Sequence, residues 1–135
     1  MPGPLDGVKI LDLTSVGFGP FAAQILGDYG AEIIKIETHE GDITRGITPF
    51  VNQGMGHFFV MANRNKRCVV LDLKAEKGRA AFLKLVESAD AIICSVRPAA
   101  MDRLGLGYED CKVVNEKFIY VALVGFGQSG PYAKF

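Results

Sequence analysis

The sequence lacks tryptophan, long hydrophobic runs and an excess of either charge. Fifteen basic residues stand against fifteen acidic ones in 135 residues, so the formal net charge is zero. A protein that neutralises nucleic-acid phosphates needs a basic surface, and this balance therefore argues against nucleic acid as a partner. Because no run of eighteen apolar residues is present, we expect no membrane-spanning segment and no membrane partner.

Cysteine is also scarce. Cys68, Cys94 and Cys111 are odd in number and show no C-x-x-C spacing. We therefore expect inert, buried thiols, with neither a disulfide framework nor a metal site. The first residues, MPGPLDG, lack the charged and apolar regions of a secretory signal peptide, which favours a cytoplasmic protein.

What the sequence does contain is a regular alternation of strand and helix patterns, in a chain with 49% apolar residues. Apolar runs predict five strands, at residues 8–13, 31–37, 68–73, 91–96 and 117–126. Helical spacing of apolar residues predicts helices over residues 20–30 and 74–90. This alternation indicates an α/β fold with a Rossmann-like parallel sheet, helices on both faces and the strand order 3-2-1-4-5.

One glycine-rich loop matches the dinucleotide-binding fingerprint. Gly17, Gly19 and Ala22 give G-x-G-x-x-A after the first predicted strand, and Glu37 follows twenty residues after Gly17. A nicotinamide-binding module is therefore one candidate class. The same spacing recurs at residues 125–130, so the pattern discriminates poorly. A loop that only lets a helix begin close to the sheet would need similar glycines.

Several cations fall in turns next to predicted strands. They are Arg64, Lys66, Arg67, Arg97 and Arg103. The turns of a parallel sheet can gather at one edge, where ligands bind, and cations collected there could hold a polyphosphate. Lysine and arginine also populate any solvated turn, so an ordinary surface role stays open at this point.

Five longer motifs carry a more specific signal. They are PLDGVKILDLTSVGFGP, LGDYGAEIIKIETHEGDITR, NRNKRCVVLDLKAEKGR, ADAIICSVRPAAMDRLGLGYE and GFGQSGP. Their order and spacing resemble those of the family III CoA-transferases, which include formyl-CoA transferase, carnitine CoA-transferase and α-methylacyl-CoA racemase. The resemblance covers essentially the whole chain. It implies the N-terminal part of the large domain of a longer enzyme, with residues 1–135 as an incomplete CoA-binding α/β segment.

The resemblance also implies CoA contacts at or just after the ends of four of the predicted strands. The residues concerned are Gly17, Phe18, Thr38, Leu71, Asp72, Leu73, Lys74, Ser95, Val96, Arg97 and Arg103. Thr38 departs from the family pattern, since many members carry arginine there, and CSVRPAA replaces the more usual E-N-F-R-P-G. CoA or an acyl-CoA would be a substrate, and no permanently bound cofactor and no metal is implied.

Members of this family move CoA between carboxylic acids through an aspartyl-CoA thioester, whereas the racemase branch uses a histidine and an aspartate to move a proton. In both branches the catalytic residues lie beyond the point that matches Phe135. The resemblance thus implies an acyl-CoA:carboxylate CoA-transferase whose catalytic aspartate is absent from this chain. Asp12, Asp72 and Asp102 are expected to be structural or solvated.

The remaining expectations concern partners and assembly. The longer enzyme would be an interlaced homodimer that acts on a CoA thioester and a small carboxylic acid. The chain alone would expose apolar surface around residues 119–124, so we expect it to self-associate. Because the catalytic aspartate would be absent from it, we also expect it to lack transferase turnover. A racemase-like or other acyl-CoA enzyme, a nicotinamide-binding module and an inert interaction fragment are the alternatives.

Overall fold

The structure, a computed structural model, describes residues 3–133. In chain order its elements are β1 (Lys9–Leu13), α1 (Phe18–Asp28), β2 (Glu32–Glu37), a 3-10 turn (Ile43–Gly46), α2 (His57–Ala62), β3 (Lys66–Val70), α3 (Glu76–Val86), β4 (Ala91–Cys94), α4 (Pro98–Arg103), α5 (Tyr108–Val114) and β5 (Ile119–Ala122). Residues 1, 2, 134 and 135 lie outside the described part. No helix within residues 3–133 is long and apolar enough to cross a membrane.

The five strands form one parallel sheet in the order β3-β2-β1-β4-β5. This result confirms both the predicted fold class and the predicted strand order. Central strand β1 places Ile10 in register with Ile33 of β2 and with Ala91 of β4. Helices cover both faces of the sheet, which explains why β1 is buried from Ile10 to Leu13.

Two hydrophobic cores lie on opposite faces of the sheet, because successive strand side chains point to opposite faces. Leu11 and Leu13 of β1 pack with α3, α4 and α5, whose buried side chains include Phe82 and Met101. On the other face, Ile10 packs with Ala23 of α1. Asp12, on that second face, is also fully buried, and its partners are described with the site.

The two edges of the sheet differ in side-chain character. Edge strand β3 carries Arg67, whose side chain is 79% exposed and forms an ion pair with Glu32. Edge strand β5 has the sequence IYVA, which contains no charged residue, and Ile119 in it is 64% exposed. Among residues 3–133 no further strand pairs with either edge.

Some predicted boundaries differ from the observed ones. Helix α1 begins at Phe18, before Pro20, because proline is tolerated in the first helical turn. Strand β3 ends at Val70, since Asp72 turns the chain by accepting hydrogen bonds from the N–H groups of Lys74 and Ala75. Helices α2, α4 and α5, of six or seven residues, were not predicted, because they are too short to show helical periodicity.

The expectation of buried cysteines is correct for two of the three thiols. Cys94 and Cys111 are buried in the core, and burial raises the pKa of Cys111 to about 11. Cys68 is exposed on edge strand β3, so the expectation is wrong there. The sequence CVVLDL predicted a buried strand. Because β3 is an edge strand, no neighbouring strand covers its outer side, and Cys68 is exposed.

We expect Phe82→Ala to destabilise the fold strongly. Phe82 is fully buried between α3 and the sheet, and truncation of such a ring costs about 3–5 kcal/mol. Urea unfolding followed by circular dichroism measures the loss. Lys77→Ala, on an exposed position of the same helix, is the control and should change stability by less than about 0.5 kcal/mol. Equal effects of the two substitutions would contradict the proposed core.

Candidate functional site

A cleft of about 460 Å³ opens at the carboxyl edge of the sheet. The ends of β1, β2 and β4 and the turn after β3 line it. The chain places β2 and β3 on one side of β1, and β4 and β5 on the other, so the topological switch point lies between β1 and β4. Open α/β sheets bind ligands at such a switch point. The wall is largely apolar, with Leu13, Ile36, Leu71, Met101 and Leu104.

This first cleft gathers most of the residues for which the sequence predicted CoA contacts. They are Thr38, Leu71, Asp72, Leu73, Lys74, Ser95 and Val96. Thr38 follows β2 directly, and the segment after β3 brings Leu71–Lys74 alongside it because Leu71 N–H donates to the Glu37 carbonyl at 2.9 Å. Sequence positions far apart therefore meet at one sheet edge.

A second cleft, of about 810 Å³, adjoins the first at Ser95. Arg97 and Arg103, at the two ends of α4, line it together with the glycine-containing loop at Gly125–Gln128. Neither arginine forms an ion pair with any residue in the described part of the chain. Their charges are thus available to an anion.

Gly17 and Phe18 line neither cleft. Gly17 precedes the first residue of α1, and Phe18 is 80% exposed at the start of that helix. The neighbouring Val16 has φ = 70°, a left-handed conformation that is unfavourable for a β-branched residue. Sequence reasoning missed Val16, because no residue pattern predicts a left-handed valine.

The cations that the sequence suggested for a polyphosphate separate into two groups. Arg97 and Arg103 lie at the cleft, but Arg64 and Arg67 pair with Asp28 and Glu32 beside the amino ends of the strands. Lys66 begins β3 and points inward, with its ammonium group 2.8 Å from Asp12 and both side chains fully buried. The expectation that all five cations could meet one polyphosphate is therefore wrong for Arg64, Lys66 and Arg67. No cluster of three or more metal-ligating side chains occurs within residues 3–133.

Comparison with known proteins decides the family. The sequence profile described as CoA-transferase family III matches residues 5–135. The chain belongs to this family. The acetyl-CoA:oxalate CoA-transferase of Acetobacter aceti is 46% identical over 98% of the chain, which covers 34% of that protein. The succinate–glutarate CoA-transferase of Agrobacterium fabrum is 42% identical over 98% of the chain and 35% of its own length.

A solved structure supports the same assignment. A CaiB/BaiF family protein from Brucella suis superposes with a TM-score of 0.93 at 39% identity, over 98% of this chain and 36% of that one. The family III chain thus spans about a third of the length of the curated relatives it matches. The resemblance to the N-terminal portion of this family is confirmed.

A buried lysine joins two walls of the first cleft in this family III chain. Lys35 Nζ donates to the Thr14 carbonyl at 2.7 Å and lies 3.0 Å from Asp42 Oδ2. Burial alone would raise the pKa of Asp42, but hydrogen bonds from Thr44 and the nearby Lys35 hold it below its usual value. The sequence analysis missed Lys35, although a lysine in the middle of the apolar run EIIKIE is the signal that could have found it.

Arg45 fastens the loop after β2 to the sheet. Its guanidinium donates two hydrogen bonds of 2.7 Å to the Glu37 carboxylate and lies 3.7 Å from the centre of the Phe59 ring. It also donates to the Gly54 carbonyl at 3.3 Å. Burial alone would raise the pKa of Glu37, but the hydrogen bonds from Arg45 and from the Asp42 N–H outweigh it and lower that pKa.

We expect Arg45→Met to destabilise the chain by about 2 kcal/mol at pH 7, between the values for exposed and buried pairs. Glu37 has a depressed pKa in the folded state, so its stabilising effect exists above its unfolded value of 4.5 and disappears as the pH falls through the folded value. The difference between variant and parent should therefore shrink as the pH falls below 4.5. Urea unfolding from pH 7 to pH 3 measures it.

Arg67→Met is the matched control, because Arg67 forms an exposed ion pair with Glu32. It should change stability by less than about 1 kcal/mol. A destabilisation by Arg45→Met that stays constant down to pH 3 would show that Arg45 acts through Phe59 and Gly54 rather than through Glu37.

Proposed function

We propose that this chain supplies the CoA-binding part of a cytoplasmic acyl-CoA:carboxylate CoA-transferase. The observation that carries the proposal is the grouping of the predicted residues. Seven of the eleven line the first cleft, and Arg97 and Arg103 line the adjoining one. A random set of surface residues would not collect at the carboxyl edge of a parallel sheet.

The two clefts differ in chemistry in a way that suits the parts of CoA. CoA joins a flat purine, a set of phosphates and a long, partly apolar pantetheine arm. The apolar wall of the first cleft, with Leu13, Leu71 and Met101, suits a ring or the arm. Arg97 and Arg103 suit the phosphates, because arginine binds phosphate oxygens through charge-assisted hydrogen bonds. Lys74 stands at the rim of the first cleft and adds a third cation.

For the chemical step we propose nucleophilic catalysis by an aspartate that lies outside residues 1–135. Its carboxylate would attack the acyl-CoA carbonyl and release CoA thiolate, leaving a mixed anhydride. The thiolate would then attack the aspartyl carbonyl and release the donor acid, which leaves an aspartyl-CoA thioester for the acceptor acid. Among the carboxylates of this chain, Asp12 and Asp42 are buried in ion pairs with lysines, so they are unsuited to this role.

Substrate and assembly follow from the same proposal. The names of these two relatives specify oxalate, succinate and glutarate as acids, and we propose a small carboxylic acid as the acceptor here. We further propose that the whole enzyme is an interlaced homodimer. A racemase-like enzyme would use the same clefts for CoA and would differ in catalytic groups outside this chain.

A ligand comparison tests the proposal. We expect CoA to raise the thermal unfolding temperature of the chain more than NAD does, because only CoA matches both clefts. Arg103→Ala should weaken CoA binding roughly fivefold, the effect of losing an exposed charge-assisted phosphate contact of about 1 kcal/mol. Isothermal titration calorimetry measures the affinity.

Arg67→Ala is the control for that experiment, since Arg67 lies on edge strand β3 in an ion pair with Glu32 and lines neither cleft. It should leave CoA affinity unchanged. Equal stabilisation by NAD and CoA would favour the nicotinamide alternative and overturn the proposal. Stabilisation by neither ligand would favour an inert interaction fragment.

Activity provides a separate prediction. The purified chain should show no CoA transfer with several acyl-CoA donors and carboxylate acceptors, because we place the nucleophilic aspartate outside it. Chromatographic separation of the CoA esters gives the measurement, and light scattering reports self-association in the same sample. Robust transfer would show that the nucleophile lies within residues 1–135.

A further inference from the structure

Two buried lysine–aspartate pairs meet around Thr14, the residue that follows β1. Asp12 Oδ1 accepts hydrogen bonds from the Thr14 N–H, at 2.9 Å, and from the Thr14 hydroxyl. Lys35 donates to the Thr14 carbonyl and pairs with Asp42. The four charged side chains are at most 1% exposed. All three polar groups of Thr14 are therefore held by buried charges.

The far end of the following loop is held as well. Lys66 Nζ donates to the Pro20 carbonyl at 2.7 Å while it also binds Asp12. Gly19 packs so closely on Thr14 that an added Cβ would lie 2.4 Å from the Thr14 Cβ. The loop of residues 15–17, which contains the left-handed Val16, is thus fixed at both of its ends.

From this arrangement we propose that Lys35 is a positioning residue that preforms the first cleft. The inference rests on the proposed CoA-binding function. Lys35 contacts Thr14 on one wall and Asp42 on another, and both residues line the cleft. Asp42 in turn caps the 3-10 turn by accepting from the Thr44 N–H and hydroxyl through Oδ1. One ammonium group thereby fixes the position of the loop after β1 relative to the loop after β2.

Burying an ammonium group carries a desolvation penalty, and an apolar side chain would fill the same space without that penalty. An apolar side chain, however, has no hydrogen bond to offer the Thr14 carbonyl. Without that bond the peptide between Thr14 and Ser15 keeps only the long hydrogen bond from the Ser15 N–H to Ser95 Oγ, at 3.3 Å, and the left-handed Val16 has less to hold it in place. The lysine therefore acts on the geometry of the cleft walls and needs no contact with the ligand.

The test replaces the ion pair by neutral side chains of similar shape. In Lys35→Met/Asp42→Asn no buried charge is left unpaired, and the asparagine oxygen can still cap Thr44. Hydrogen exchange read by mass spectrometry should show amide exchange about tenfold faster at residues 14–15 and 44–47, with the β4 amides unchanged. CoA affinity, measured by calorimetry, should fall about tenfold, because the cleft must then be ordered on binding.

Two further variants sharpen the test. Lys35→Gln/Asp42→Asn also leaves no buried charge unpaired, and its glutamine carries an amide that can donate to the Thr14 carbonyl, so exchange at residues 14–15 should stay close to that of the parent. Lys84→Met/Glu87→Gln removes an exposed lysine–carboxylate pair at the C-terminal end of α3 and should alter neither exchange in the cleft loops nor CoA affinity. The glutamine variant keeps a polar partner for Thr14 and keeps the proposal testable if the methionine variant fails to fold.

The outcomes separate this inference from the proposed function. Unchanged exchange in both loops, or a rise of equal size in β4, would overturn the positioning role. CoA affinity equal to that of the parent, despite faster exchange in the loops, would overturn it too. If the parent chain itself shows no heat of CoA binding, the proposed function fails, and the exchange pattern alone still decides whether Lys35 holds the two loops.

Discussion

Lys35 and Lys66 carry their ammonium groups into the interior of the fold, where an unpaired charge would be strongly unfavourable. Each is matched by one aspartate, Asp42 for Lys35 and Asp12 for Lys66. Burial lowers the pKa of Lys66, and the nearby Asp12 opposes that effect. These pairs connect β1, β2, β3 and the loops after β1 and β2. The arrangement of the cleft walls therefore depends on buried charges being paired, in addition to apolar packing.

This dependence explains why the site is built from loops and yet has a defined shape. The apolar cores determine where the strands lie, and Leu71 and Leu73 extend one of them past the end of β3. Hydrogen bonds and ion pairs add further constraints on the loops, as Arg45 does for the loop after β2 and Asp72 does for the turn after β3. Hydrogen bonds to charged groups are directional, so they determine the orientation of the loops as well as their proximity.

The fold was largely predictable because apolar runs and helical spacing report burial on a sheet. The five strands, their parallel arrangement and their order all follow from that signal and from the handedness of crossover connections. The site was predictable only in part. Thr38, Leu71 and Ser95 came from the family resemblance, whereas Lys35 and Asp42 came from neither periodicity nor motif, since their roles depend on contacts between residues distant in space. Lys66 was misassigned for the same reason, because a basic residue in a turn gives no sign that its side chain points inward.

The two edges of the sheet differ in how readily they could pair with a further strand. On the β3 side, the exposed guanidinium of Arg67 would have to be displaced before another strand could align, and such edge charges discourage pairing. On the β5 side, the outer backbone groups of Ile119–Ala122 are flanked by uncharged side chains alone. This difference in charge makes the β5 edge the easier of the two for an additional strand to pair with.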